Sequence, residues 1–309
     1  MAHHCFEEGA PLRQNDVSAP RPDRRRTVSR RSTAALLATA TALVLSGCAG
    51  RVQDGFLPRA VTDNGERVTT LWNGAWIAAL AVGVLVWGLI LWCIVAYRKK
   101  KDDTTLPVQF RYHVPLEILY TVVPVMMIAV LFYYTARDES ALMQTTKKPD
   151  FTIGVVAKKW SWDFNYVDQQ TYEAGTQAEL TGKPGVEETL PTLYLPVDKR
   201  VEFVITSRDV AHSFWVPAFL QKLDAIPGRV NRFQVETQQT GTFAGKCAEL
   251  CGAYHSHMLF NVKVVNQSDF EAHMSELKAK GNTGQLDNSL NPEKVISKDE
   301  GLLPSAGSK

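Results

Sequence analysis

Two long apolar runs constrain this chain more than any other feature. From Ala75 to Ala96 there is no charged residue and few polar ones, and about 20 such residues suffice to cross a hydrocarbon core. A second run extends from Ile118 to Ala136 and ends at Arg137-Asp138-Glu139. Inside a bilayer the backbone must satisfy its own hydrogen bonds, so both runs are expected to be helices, and Pro124 in the second is tolerated where neighbours satisfy the freed carbonyl. The cluster Arg98-Lys99-Lys100-Lys101 directly after the first run marks its cytoplasmic end. A two-helix transmembrane hairpin follows, spanning 71–137, with everything beyond Arg137 outside the cell. Cys93, inside the first span, reads as a small apolar packing residue.

Beyond Asp150 the apolar period changes from helical to two. Phe151, Ile153 and Val155 alternate with other residues, as do Val201, Phe203 and Ile205, and then Met258, Phe260, Val262 and Val264. Such runs read as half-buried strands. With turn-rich segments between them, such as Thr181 to Gly185, they predict an all-β Greek-key sandwich over 150–279. The polar stretch Gln169 to Glu188 reads as an exposed loop. A short helix closes the domain, with Ser268 and Glu271 as a capping box, Phe270, Met274 and Leu277 as its apolar face, and Gly281 as its stop. The polar tail 282–309 reads as disordered. A net charge of +2 on 309 residues argues neither for nucleic acid nor for an acidic substrate, no nucleic-acid partner is expected, and five scattered cysteines do not make a disulfide scaffold.

The first 47 residues read as a processed signal segment. Arg24, Arg25, Arg26, Arg30 and Arg31 precede the apolar run Ala34 to Leu45, and Leu45-Ser46-Gly47-Cys48 resembles a bacterial lipobox. Cleavage there would leave a lipidated Cys48 at the head of an extracytoplasmic segment, 48–70; an ordinary signal peptide is the other reading. The basic region is long, and a start at Val28 would give a signal of usual length.

The chemistry is concentrated in Cys247-Ala-Glu-Leu-Cys-Gly-Ala-Tyr-His-Ser-His-Met258. Two thiols, an imidazole and a thioether share one short loop, and these are ligands that soft or borderline metals prefer. Met258 beside two thiolates favours copper. A second imidazole is expected from His212, which follows the strand-like run Val201 to Thr206. Two other readings of these residues remain at this point: a disulfide between Cys247 and Cys251, suited to an exported domain, and a Cys2His2 zinc site.

His-Ser-Phe followed 35 residues on by Cys-x-Glu-x-Cys-x3-His-x2-Met resembles the dinuclear CuA copper centre of the cytochrome c oxidase subunit II family. The resemblance covers about Leu71 to Leu277 and implies a cupredoxin-like fold. It implies that two copper ions are held by His212, Cys247, Cys251, His255, Met258 and the main-chain carbonyl of Glu249. Through its carboxylate, Glu249 would also touch a magnesium shared with subunit I. His257 falls where the family carries an aromatic residue and is not a ligand. Glu-Ile-Leu-Tyr-Thr-Val-Val-Pro resembles the family's Glu-x-x-Trp-Thr-x-x-Pro, whose glutamate opens a proton path; on residues alone, Glu117 is a helix-end carboxylate placed well for the helix dipole. Trp160-Ser-Trp-Asp-Phe resembles a Trp-Tyr-Trp-x-Tyr segment whose first tryptophan receives the electron from cytochrome c, although alternating aromatics in a strand are usually core. Asp224 to Arg229 resembles a stretch facing subunit I near its haem, and otherwise reads as a Pro-Gly turn with a local ion pair. Asp209 is a candidate donor-docking carboxylate.

The expected function is therefore that of a bacterial plasma-membrane oxidase subunit, multi-pass, with its copper domain outside. It would take electrons from cytochrome c and pass them to haem in subunit I, where oxygen reduction is coupled to proton translocation. The near-even mix of acidic and basic residues in the exposed domain suggests a donor held by a membrane anchor or partner complex. A CuA domain of another reductase and a copper-storage or copper-delivery lipoprotein are the alternatives; quinol oxidase subunits lack the copper ligands.

Overall fold

The computed structural model describes Thr39 and residues 53–99, 106, 108–145 and 147–286. Apart from Thr39, the signal segment lies outside the described residues, as do the lipobox Cys48, residues 100–105 and 107 of the loop joining the two apolar runs, and the tail beyond 286.

Both apolar runs are helical and longer than their apolar cores. Helix α1 covers Asp63–Ala96 and helix α2 covers Val114–Leu142, each long and apolar enough to cross a membrane. Helix α1, at 34 residues, extends about 51 Å at 1.5 Å per residue, well beyond a hydrocarbon core of about 30 Å. Its first turns are polar, and Thr62 caps them by accepting from the Gly65 amide at 3.2 Å. In α2, Glu117 reaches back to the His113 amide at 2.9 Å, so its carboxylate caps an exposed helix start. Pro124 lies within the continuous helix.

The overhanging ends of both helices are hydrogen-bonded into the domain that follows. Asn64 donates to the Gln221 side chain at 3.0 Å and to the Gln234 carbonyl at 2.9 Å. Gln234 in turn donates to the Lys147 carbonyl at 2.8 Å, and Gln221 to the Leu142 carbonyl at 3.4 Å. Asp63 pairs with Arg200 at 3.0 Å, and buried Asp138 with Arg67 and Arg137 at 3.1 and 2.8 Å. Buried polar groups joined this way resist separation, because each one left unpaired costs about 1–3 kcal/mol.

The domain is a sandwich of two five-stranded sheets. Strands β1 (Phe151–Lys158), β2 (Ser161–Tyr166), β3 (Thr171–Glu173), β5 (Arg200–Ser207) and β8 (Asn231–Glu236) form one sheet in the order β3-β2-β1-β5-β8. Strands β4 (Thr192–Pro196), β6 (His212–Val216), β7 (Gln221–Ala225), β9 (Gly241–Cys247) and β10 (Leu259–Val265) form the other, in the order β4-β10-β9-β6-β7. Each sheet contains one parallel pair, β1 with β5 and β4 with β10. Trp162, Phe164, Phe203, Phe214, Phe233 and Phe260 fill the space between the sheets and are fully buried. At about 25 cal/mol per Å² of apolar area removed from water, these rings dominate the favourable side of folding.

Four local expectations are corrected. Strands β1 and β5, expected to be half-buried, are buried on both faces over most of their length, as is β2, because neighbouring segments cover the outer face of their sheet. The stretch Gln169 to Glu188 supplies much of that cover: it contains β3, and Gly175 donates to Asp163 at 2.9 Å while Ser161 donates to the Thr176 carbonyl at 2.8 Å. A Cβ on Gly175 would lie 2.0 Å from the Trp162 carbonyl, so only glycine permits that approach. The start of the tail adds more, since Asn165 exchanges hydrogen bonds with the Leu286 main chain at 2.8 and 3.1 Å; residues 282–286 are ordered against β2. Finally, helix α3 (Gln267–Ala279) begins two residues earlier than a Ser268–Glu271 capping box requires. Asn266 is its N-cap without a side-chain bond, and Glu271 accepts from Gln267 instead of closing on Ser268. Phe270, Met274 and Leu277 face the core, and the Gly281 and Asn282 amides close the helix end on the Lys278 and Leu277 carbonyls.

Candidate metal centre

Strand pairing brings the ligand candidates to one end of the second sheet. Phe214 pairs with Cys247 across β6 and β9, which places His212, two residues before Phe214, beside the end of β9. The chain then leaves β9 through residues 248–258 and returns in β10, where Leu259 pairs with Lys246. That short excursion folds Cys251, His255 and Met258 back over Cys247.

The donor atoms converge. The Cys247 and Cys251 sulfurs are 3.9 Å apart, and both thiols are free and buried. His212 Nδ1 lies 3.8 Å from Cys247 Sγ, and His255 Nδ1 lies 3.5 Å from Cys251 Sγ. Met258 Sδ is 3.8 Å from Cys251 Sγ, and the Glu249 carbonyl oxygen is 3.2 Å from Cys247 Sγ. His212, Cys247 and Cys251 offer ligand atoms all within 4.8 Å of one another. Two thiols 3.9 Å apart, each flanked by an imidazole, with a buried thioether and a main-chain carbonyl beside them, suit a soft-ligand dinuclear site. A tetrahedral zinc site would leave Met258 without a part.

The surroundings tune the donors. Burial disfavours a charged His212, but hydrogen bonds to Cys247 and Asp209 outweigh it and raise its pKa. For Cys247, burial opposes the thiolate, yet hydrogen bonding with His212 and with the Glu249 and Ser213 backbone lowers its pKa. Burial and the neighbouring Cys247 charge push the Cys251 thiol up to about 12. A metal that binds both sulfurs must therefore displace the Cys251 proton.

Sequence reading placed Asp209 on a docking surface; the geometry gives it a further part. Its Oδ1 lies 2.8 Å from His212 Nε2 and accepts from the Val210 amide at 2.7 Å, while Oδ2 accepts from the Lys159 amide at 2.7 Å. A carboxylate on one ring nitrogen holds the proton there and leaves the other nitrogen, here Nδ1, free for a metal. The i, i+3 spacing of Asp209 and His212 was the available signal.

Two tryptophans two residues apart behave differently. Trp162 is fully buried under the site, 6.2 Å from the His212 ring between centroids, and donates to the Met258 carbonyl at 3.4 Å. Trp160 sits half-buried on the rim and donates to the Cys251 carbonyl at 3.2 Å. His257 stays outside the cluster, its Nδ1 3.3 Å from the Ala178 carbonyl. The carboxylate-bearing Glu249 is exposed. Asp224 and Arg229 flank the turn after β7, close to the ligand end because Ala225 pairs with His212. Among the described residues they form no ion pair; the turn is held instead by the Arg229 amide on the Ile226 carbonyl at 3.1 Å and by Asn231 on the Asp224 carbonyl at 2.6 Å. Glu117 is on α2, away from this cluster.

The chain matches two family descriptions, "Cytochrome C oxidase subunit II, periplasmic domain" over residues 151–265 and "Cytochrome C oxidase subunit II, transmembrane domain" over residues 51–135. A probable cytochrome c oxidase subunit 2 of Streptomyces avermitilis is 46% identical over 301 residues, covering 88% of this chain and 93% of that protein. Cytochrome c oxidase subunit 2 of Mycobacterium tuberculosis is 36% identical over 321 residues, covering 86% and 88%. The periplasmic domain of cytochrome oxidase subunit II from Bradyrhizobium japonicum, a crystal structure, is 33% identical with a TM-score of 0.41, covering 44% of this chain and 99% of that one. With the helix pair, the sandwich and the converging sulfur and imidazole donors already in place, the two family matches and the two relatives of 46% and 36% identity show that the chain belongs to the cytochrome c oxidase subunit II family.

Proposed function

We propose that this chain is the electron-receiving subunit of a haem-copper cytochrome c oxidase. The observation that carries the reading is the convergence of Cys247, Cys251, His212, His255 and Met258 with the Glu249 carbonyl in one buried cluster. These six groups would hold two copper ions, and the pair supplies a one-electron redox centre when bound. The chain's own part is to keep both thiols dry, to fix the His212 tautomer through Asp209, and to link the cluster to the surface through Trp160. Burial of both sulfurs, at 5% and 3% exposure, suits retention of a metal and opposes a copper-delivery role.

The remaining assignments complete the reading. The copper domain lies outside the bacterial plasma membrane, with the charged loop after α1 in the cytoplasm and lipid on Cys48. Electrons pass from the cluster to haem in subunit I, which the Asp224–Arg229 turn faces, and oxygen reduction there is coupled to proton translocation. Exposed Glu249 is free to reach a magnesium shared with that subunit, and Glu117 stands at the mouth of a proton path.

Metal analysis and paramagnetic resonance of the purified chain test this. Two coppers with a signal shared over both nuclei are expected; one zinc, or an oxidised cysteine pair without copper, would overturn it. Met258→Leu is expected to keep copper bound and change its reduction potential, since a thioether tunes a copper site more than it anchors it. Loss of copper in that variant would make Met258 an anchor.

The donor is a c-type cytochrome held near the site by an anchor or a partner complex. Exposed charges are screened over about 10 Å at 0.1 M salt, so a freely diffusing donor steered by charge would lose rate steeply as salt rises. Turnover in native membranes is expected to fall only mildly over the same range. A steep loss there, removed by Asp209→Asn, would restore a freely diffusing donor.

A further inference from the structure

The loop that carries the ligands also carries an exposed ring that no copper ligand role explains. Tyr254 packs edge-on against Trp160, with ring centroids 4.8 Å apart and planes at 71°, within the geometry aromatic pairs prefer. On its other side it meets the His257 ring at 5.5 Å and 72°. His257 is braced in turn by the carbonyl of buried Ala178, in the segment between β3 and β4. Beneath the indole, Gly252 holds φ at +124°, and a Cβ there would lie 3.3 Å from the Trp160 ring. Trp160 is thus held between a glycine floor and a tyrosine wall, with its indole N–H on the Cys251 carbonyl. Tyr254 remains 46% exposed and the neighbouring Leu250 78% exposed, so the rim of the site is apolar where it meets solvent.

We propose that Tyr254 is a second aromatic residue of the electron-receiving site, positioning the Trp160 indole and offering its own exposed edge to the haem rim of the donor. The inference rests on the oxidase reading above. One electron leaves a ferrous c-type haem, which becomes ferric, and reduces the copper pair by one electron; no bond forms or breaks and no proton moves. Tyr254 acts through its ring. Its hydroxyl makes no hydrogen bond to any described residue, whereas its ring makes edge contacts with both Trp160 and His257, so phenylalanine should replace it and alanine should not.

The experiment uses the assembled oxidase carrying Tyr254→Ala or Tyr254→Phe, with a reduced soluble mono-haem cytochrome c as the probe. For Tyr254→Ala, electron transfer into the copper centre at low cytochrome concentration is expected to slow about tenfold, the loss typical of truncating an aromatic interface residue. The copper signal and the later transfer from copper to haem should be unchanged. In the copper-free full chain, acrylamide quenching of the Trp160 contribution, taken as the difference from the same variant carrying Trp160→Phe, should increase. Tyr254→Phe should match the unsubstituted protein in every measurement. Unchanged transfer and unchanged quenching in Tyr254→Ala would overturn the proposal, and so would a Tyr254→Phe enzyme as slow as Tyr254→Ala. A missing copper signal in the unsubstituted oxidase would instead refute the oxidase reading, and the role of Tyr254 with it.

Discussion

Cys247→Ser and Cys251→Ser are each expected to abolish copper binding outright, taking the bound copper from two ions to none and removing the resonance signal. Each sulfur has its own imidazole, His212 for Cys247 and His255 for Cys251, and the two sulfurs are 3.9 Å apart. Two copper ions held there would draw on both thiolates, and a serine oxygen is too hard and too weakly acidic to stand in for either. The fold should survive. The substitution is nearly isosteric, and a buried hydroxyl left without a partner costs about 1–3 kcal/mol, a fraction of the roughly 5–15 kcal/mol that typically stabilises a domain. Copper content and the denaturation midpoint, measured on the same preparations, separate the two effects. Cys93→Ser is the control, because Cys93 lies in α1 far along the chain from the ligand loop, and copper should be retained. A serine variant that keeps two coppers would show that the sulfurs do not bridge.

The ligand set was legible because it is local. Five of the six proposed donor groups sit within Cys247 to Met258, and soft-ligand preference singles out such a loop without any knowledge of the fold. His212 was legible too, since a strand end is where a loop can be met. Asp209 was read only as a surface carboxylate, because its bonds to His212, Lys159 and Val210 depend on how the chain turns before β6. The helix ends and the long insert were harder for the same reason. Hydropathy locates the apolar centre of α1 but is silent on the polar turns ahead of it, which are helical because Asp63 and Asn64 find partners in Arg200, Gln221 and Gln234. The stretch Gln169 to Glu188 is polar, yet its first half lies against β2, since a main chain that satisfies Asp163 and covers Ser161 needs no apolar side chains to be held. Tyr254 carried no signal at all before its ring was found against Trp160.

Trp162→Ala should produce the second large effect, and it is one that sequence alone could not have assigned to Trp162 over Trp160. The two residues share a segment, an aromatic type and a strand period, but Trp160 precedes β2 on the rim whereas Trp162 points between the sheets. There it meets Phe214 at 5.7 Å and Phe260 at 5.4 Å between ring centroids. Truncating a buried tryptophan costs about 3–5 kcal/mol in lost burial and residual cavity, a large share of the roughly 5–15 kcal/mol that typically stabilises a domain. Copper should be held more weakly as well, because Trp162 supports the His212 ring and donates to the Met258 carbonyl. Trp160→Ala should do the reverse. It removes one part-exposed ring and one hydrogen bond to the Cys251 carbonyl, worth about 0.5–1.5 kcal/mol, so the midpoint should shift little and copper should stay bound while electron transfer from a reduced cytochrome slows. Denaturation midpoint, copper content and the rate of cytochrome oxidation, compared across the two variants, give opposite patterns if this division holds. Loss of the fold in Trp160→Ala together with a stable, copper-loaded Trp162→Ala would exchange the two roles.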